Sequence, residues 1–237
     1  MSESSSTRRT FLRQTSIIGA SLLAPALSAQ QKPSREKDKA KGDEGISPAE
    51  DLMREHGILN RILLIYDEHL RMLAGKRPFD GSVLVSAADI IRHFVEEYHE
   101  KLEEDFLFPR FRKTGKLVNL VDTLQAQHKA GRELTGKIKD LAATATLKYV
   151  SSDSEKLADA LRAFLRMYRP HEAREDTVLF PAFRTIVSAH EYDALGDDFE
   201  KKEDELFGDE GFFKVVDQVA QLEKKLDLYD LAQFTPK

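Results

Sequence analysis

Two stretches of this chain repeat one another in residue type and spacing: His99-Glu100-x-x-Glu103-Glu104-x-x-Leu107-Phe108-Pro109-x-Phe111 and His171-Glu172-x-x-Glu175-Asp176-x-x-Leu179-Phe180-Pro181-x-Phe183. Another histidine precedes each by 43 residues, His56 and His128, so the whole set recurs at an offset of 72 residues. On an α-helix, residues four apart are separated by about 40° around the axis and about 6 Å along it, so a His-x-x-x-Glu pair can reach one point. Two helical hairpins, each carrying one lone histidine and one such pair, would bring His56, His99, Glu103, His128, His171 and Glu175 together as metal ligands. Imidazole with carboxylate suits non-haem iron, with manganese as the substitute. The chain has no cysteine, and thiolate chemistry is thereby removed.

The elements that must hold these groups are helices. Ser47-Pro48-Ala49-Glu50 supplies an N-cap serine, a proline at the first helical position and a glutamate placed for a capping box. Leu52, His56, Leu59, Leu63, Tyr66, Leu70 and Leu73 then succeed one another at steps of four and three, the inward seam of a bundle helix. After Gly75, Pro78 and Gly81, a second helix from about Val83 to Phe111 turns Ile91, Val95, His99, Leu102 and Phe106 inward, with Glu103 one turn beyond the histidine. Past Gly115, a third carries Leu117, Val121, Leu124 and His128, then Ile138 and Leu141. A fourth, from about Ser154, has the seam Leu157, Leu161, Phe164, Tyr168, His171, Glu175, Val178 and Ala182, with Pro170 predicting a kink or a local bulge just before His171. A histidine and a glutamate left unpaired in that apolar row would cost on the order of several kcal/mol, and coordination satisfies both. Scarce strand signals and short connections make the fold all-α, an antiparallel four-helix bundle over residues 47–189 with a C-terminal helical extension over 190–237.

These residues resemble the hemerythrin-like, or HHE cation-binding, family of four-helix bundles that hold a non-haem di-iron centre. The likeness covers about residues 48–188, and the two His-x-x-x-Glu segments followed by Leu-Phe-Pro are its most specific part. It implies His56 as the helix-one ligand, His99 and Glu103 as the helix-two pair, His128 as the helix-three ligand, and His171 and Glu175 as the helix-four pair, with the two glutamates bridging. Oxygen-carrying members have a second histidine one turn after the helix-three ligand, where this chain has Arg132. Their helix-four carboxylate is an aspartate five residues after its histidine, where Asp176 stands, but the Glu175 spacing resembles the family's bacterial branches. The resemblance thus implies six protein ligands in a more open centre, which weakens reversible oxygen carriage. Three functions fit such a centre. The expectation is a di-iron protein that binds or senses a small ligand (O2, NO or peroxide) with no organic substrate. The alternatives are a di-iron oxidoreductase of peroxidase or NO-reductase type, told apart by turnover with an electron donor, and an iron-holding or structural bundle without turnover.

Other groups rank below the six. His69 lies about 140° round the helix from His56 and is expected at solvent or the helix end, His93 about 120° from His99 and is expected in the core or behind the ligands. His190 falls outside the repeat. Tyr66, Tyr98 and Tyr168 are expected as packing that could line the cavity or serve as an additional ligand, and Phe106, Phe108, Phe111, Phe180 and Phe183 as core and site lining. The Glu96-Glu97 and Asp197-Asp198 clusters are expected on solvated faces.

The ends of the chain add location. Residues 1–29 have the order of an export signal: Thr7-Arg8-Arg9-Thr10-Phe11-Leu12-Arg13, the short apolar run Ser16 to Leu27, then small residues at Ala26, Ser28 and Ala29. Thr-Arg-Arg-Thr-Phe-Leu resembles the twin-arginine signal, whose route exports folded, cofactor-loaded proteins, so a periplasmic protein without stable membrane insertion is expected. Residues 30–46 are charged and without apolar periodicity, the composition of a disordered linker. The formal net charge is −5, and losing Arg8, Arg9, Arg13 and Glu3 leaves the chain more acidic still, which excludes a nucleic-acid partner of the usual basic kind. In the extension, an acidic helix following Asp193-Ala194-Leu195-Gly196 runs to Leu206 and breaks at Gly208 to Gly211. The last helix, from Phe212 to about Leu228, carries a stripe of Phe212, Val215, Val216, Val219, Leu222 and Leu226. That stripe must bury against the bundle or against a second copy of the chain in a homodimer.

Overall fold

In the computed structural model, residues 46–144 and 152–236 are described. The expected signal at 1–29 and nearly all of the linker at 30–46 lie outside them. The described residues are helical without strands, and no helix among them is long and apolar enough to cross a membrane. Four long helices form the bundle. Helix α1 is Pro48–Ala74. Helix α2 covers residues 81–114 as Gly81–Ile90, the π-helical Ile91–His99, Glu100–Leu102, the π-helical Glu103–Leu107 and Phe108–Thr114. Helix α3 is Val118–Thr144, and α4 covers residues 152–183 as Ser152–Arg174, the π-helical Glu175–Leu179 and Phe180–Phe183. Helix α1 packs on α2 and α4, and α3 closes the ring by packing on the same two.

Local chemistry sets the helix ends. Ser47 Oγ accepts from the Glu50 backbone N–H at 3.3 Å, with Pro48 at the first helical position. Asp80 caps α2 by accepting from the Ser82 N–H at 2.9 Å, which leaves Gly81 inside the helix. Gly115, at φ 71°, ends α2 in the left-handed region that glycine enters without strain.

The widened turns correct the expected inward rows. In both repeats the glutamate carbonyl accepts a bond from five residues on: Phe108 N–H to Glu103, and Phe180 N–H to Glu175. One residue more per turn rotates the remainder of each helix by one position. Leu107, Phe108 and Phe111 therefore face the core in α2, and Leu179, Phe180 and Phe183 in α4, while Phe106, Val178 and Ala182 are only half-buried. Pro109 and Pro181 come directly after these turns; a proline has no N–H to donate and crowds the carbonyl four residues back, and a wider turn accommodates both. No π-helical turn stands at Pro170, which lies inside the α-helical Ser152–Arg174; the π-helical turn of α4 comes after His171, and α2 has the same turn after His99.

Beyond the bundle, α5 is Ala189–Phe207, capped by Ser188, and α6 is Gly211–Lys225. Helix α5 begins earlier than expected and takes Asp193 to Gly196 into its first turns, where Gly196 passes close to Pro48. The apolar stripe of α6 is covered in cis: Phe212, Val215, Val219 and Leu222 are buried, with α6 packed on α1, α2 and α5. Arg61 of α1 fixes this contact by donating from Nε to Glu223 at 2.9 Å.

Candidate metal centre

The structure brings all six expected groups together in the middle of the bundle, and each is at most 4% exposed. Donor atoms of His56, His99 and Glu103 lie within 4.8 Å of one another, as do those of His128, His171 and Glu175. The carboxylates join the two sets. Glu175 holds its Oε1 3.1 Å from His171 Nε2 and its Oε2 3.4 Å from His56 Nε2. Glu103 Oε2 is 3.3 Å from His128 Nε2 and 3.9 Å from His99 Nε2. Each glutamate thus reaches a histidine of both sets, the placement a bridging carboxylate requires.

Every imidazole turns Nε2 inward and donates from Nδ1 to an oxygen behind it. His56 donates to Asp176 at 2.7 Å, His99 to Glu55 at 2.8 Å, His128 to Glu104 at 3.1 Å and His171 to Gln127 at 2.9 Å. Such partners fix the tautomer, aim the ring and make Nε2 a better electron donor to a cation. The sequence reading missed all four, although two pairs, Glu55 with Gln127 and Glu104 with Asp176, stand at the same 72-residue offset as the six groups. The Leu-Phe-Pro phenylalanines complete the pockets across the repeat, Phe180 stacking on His56 and Phe108 on His128, each with ring centroids 5.5 Å apart.

The centre's electrostatics are those of donors crowded together in a dry place. Burial opposes the His56 imidazolium, but the hydrogen bond to Asp176 and the nearby charges of Asp176 and Glu175 outweigh it and push its pKa up to about 10. Burial, with charged His56 alongside, pushes His99 down to about 3. Burial also takes His128 down to about 4 against the pull of Glu104. Glu103 is driven well above the usual carboxylate range by burial and by Glu175, whereas the histidines hold Glu175 below that range despite its burial. Such a set cannot ionise fully on its own.

A cation fits these residues. His56 Nε2, His128 Nε2 and both oxygens of Glu103 and Glu175 are buried and hydrogen-bond to no protein group. Orphaned atoms of this kind are rare in folded proteins, and here they converge as nitrogen and oxygen donors, a mixture suited to iron or manganese.

The remaining candidates fall elsewhere. Arg132 donates to Glu100 and to Glu104 at 2.8 Å each, so it stands behind the ligands, and a guanidinium has no lone pair to offer a metal. Tyr168 lines the site, its hydroxyl donating to Glu100 at 2.8 Å and its ring centroid 5.5 Å from that of His171. Tyr66 and Tyr98 are buried, Tyr66 edge-on to Phe164 and Tyr98 against Phe94 and Phe207. His69, expected at solvent or the helix end, is buried, because Phe79 of the α1–α2 connection folds edge-on over its ring and its Nδ1 donates to the Ile65 carbonyl at 2.8 Å. His93, expected in the core or behind the ligands, is exposed and pairs with Glu97 one turn on. Glu96, expected in solvent, is buried and paired with Arg92, whereas Asp197 and Asp198 are exposed as expected. His190 is exposed outside the repeat.

The family model described as Hemerythrin HHE cation binding domain matches residues 47–182. The uncharacterized protein Rv1995 of Mycobacterium tuberculosis is 46% identical over 191 residues, which are 81% of this chain and 74% of the relative. The uncharacterized protein Mb2018 of Mycobacterium bovis is similar to the same extent, 46% over 191 residues. No solved structure matches the chain.

Proposed function

The chain belongs to the hemerythrin HHE cation-binding family, and from that premise we propose that it holds a pair of non-haem iron ions and uses them to bind or sense O2, NO or peroxide. The residues that would hold them are His56, His99, His128 and His171, which turn Nε2 inward, and Glu103 and Glu175, which lie between the two sets. The observation that carries this is the reach of each glutamate to histidines of both sets, 3.1 and 3.4 Å for Glu175 and 3.3 and 3.9 Å for Glu103.

When bound, two iron ions supply a one-electron couple each and open positions for a small exogenous ligand. The chain's own residues do the rest. Asp176, Glu55, Glu104 and Gln127 orient the imidazoles, and Phe108 and Phe180 cover them and keep bulk water away. The burial of all six groups favours ligands of a few atoms over an organic substrate. A groove of about 670 Å³ does exist, but it lies on the flank between α2, α5 and α6, lined by His93, Phe207, Lys214 and Val215 among others, away from the six. Arg132, standing where oxygen carriers have a further histidine, leaves six protein ligands and favours sensing over carriage.

The paired arginines at Arg8 and Arg9 support export of the folded, loaded protein to the periplasm. The test of function is an anaerobic ferrous spectrum before and after air, NO or peroxide. A stoichiometric spectral change with each ligand and no sustained turnover with an electron donor is expected; multiple turnovers would replace sensing by the oxidoreductase alternative.

A further inference from the structure

The halves of the repeat carry the same ligands but differ in the groups that stand behind them. At the 72-residue offset Glu55 corresponds to Gln127, and Asn60 to Arg132. Glu55 accepts from His99, so the His56–His99 pair rests on two carboxylates, Asp176 and Glu55, at 2.7 and 2.8 Å. Gln127 accepts from His171, so the His128–His171 pair rests on one carboxamide and one carboxylate, Glu104, at 2.9 and 3.1 Å. That lone carboxylate is shared with cations, Arg132 at 2.8 Å and Lys101 at 3.0 Å. In the other half Asn60, a neutral amide, donates to Glu172 at 2.9 Å where Arg132 binds Glu100.

We propose that the two metal positions are unequal: the one served by His56 and His99 holds a divalent cation more tightly than the one served by His128 and His171, and Gln127 and Arg132 set the difference. This rests on the paired-metal reading above. A carboxylate on Nδ1–H draws the proton toward itself and makes Nε2 the stronger donor, whereas a carboxamide, or a carboxylate already neutralised by a guanidinium, does so less. Both replacements act in one direction, removing a negative charge at position 127 and adding a positive one at 132. Both glutamates reach histidines of both positions, so the charge difference between the halves lies in the groups behind the imidazoles.

Mutual repulsion separates the two binding steps even for equal positions, so the variants decide. Fe2+ is titrated anaerobically into the full chain against a competing chelator, with native mass spectrometry counting one-metal and two-metal species. The unmodified protein should show two steps at least about tenfold apart, since a single outer partner is worth roughly 10- to 100-fold in affinity. Gln127→Glu should strengthen the weaker step about tenfold and leave the tighter one in place; Arg132→Asn should do the same, and is the variant to read if the first does not fold. Glu55→Gln should weaken the tighter step. Two equal positions would instead respond to Gln127→Glu by a strengthened first step, and that result, or an unmoved weaker step in both variants, overturns the inequality while the paired site stands. A folded protein that takes up no Fe2+ overturns both.

Discussion

The Asp176 carboxylate of α4 accepts from His56 Nδ1 of α1 at 2.7 Å, tying a proposed ligand on the first helix to the residue next to a proposed ligand on the fourth. The bond joins two neighbouring helices, so it orients the ring and ties α1 to α4 at once. Asp176→Asn keeps the shape and loses the charge. Iron affinity should fall roughly 10- to 100-fold with little change in fold, read by chelator competition and circular dichroism.

Glu103 and Glu175 each reach histidines of both sets, so neither can be removed without touching both positions. The double variant Glu103→Ala with Glu175→Ala should abolish two-metal loading. Retention of both ions would remove the bridging assignment.

Gly131 of α3 lies against Tyr168: a Cβ there would stand 1.9 Å from Tyr168 Oη and 2.8 Å from its Cζ. In an open helix, glycine to alanine stabilises by about 1 kcal/mol. Here the clash should reverse the sign, costing on the order of 1–3 kcal/mol as overpacking does. Urea unfolding of Gly131→Ala measures this, and the displaced Tyr168 would also lose its bond to Glu100.

His69 gives a pH dependence that does not involve the metal ligands. Burial holds its pKa below the usual 6.5. Below that value the unfolded chain takes up a proton that the folded chain refuses, so stability contributed by neutral His69 is present above about pH 6.5 and is lost as pH falls. The metal-loaded protein should therefore lose stability as pH falls below about 6.5, and His69→Gln should flatten that slope. Equal slopes in the two proteins would contradict the assignment.

The 72-residue offset made the bundle and its six groups legible, because an amphipathic helix turns a fixed spacing into a fixed face. It did not reveal the π-helical turns, whose cause is a backbone bond to the fifth residue at Glu103 and Glu175, and a row drawn at about 3.6 residues per turn therefore put Phe106, Val178 and Ala182 one position off. His69 was missed for a related reason: its burial comes from Phe79 in a connection, which no helical projection contains. The partners behind the imidazoles were the readable part left unread, since Glu55 with Gln127 and Glu104 with Asp176 obey the same offset as the ligands.

Iron content per folded chain, measured after anaerobic reconstitution with Fe2+ and removal of loosely bound metal, bears most directly on the central claim. Two irons per chain are predicted for the unmodified protein. A correctly folded chain that retains neither iron nor manganese would contradict it.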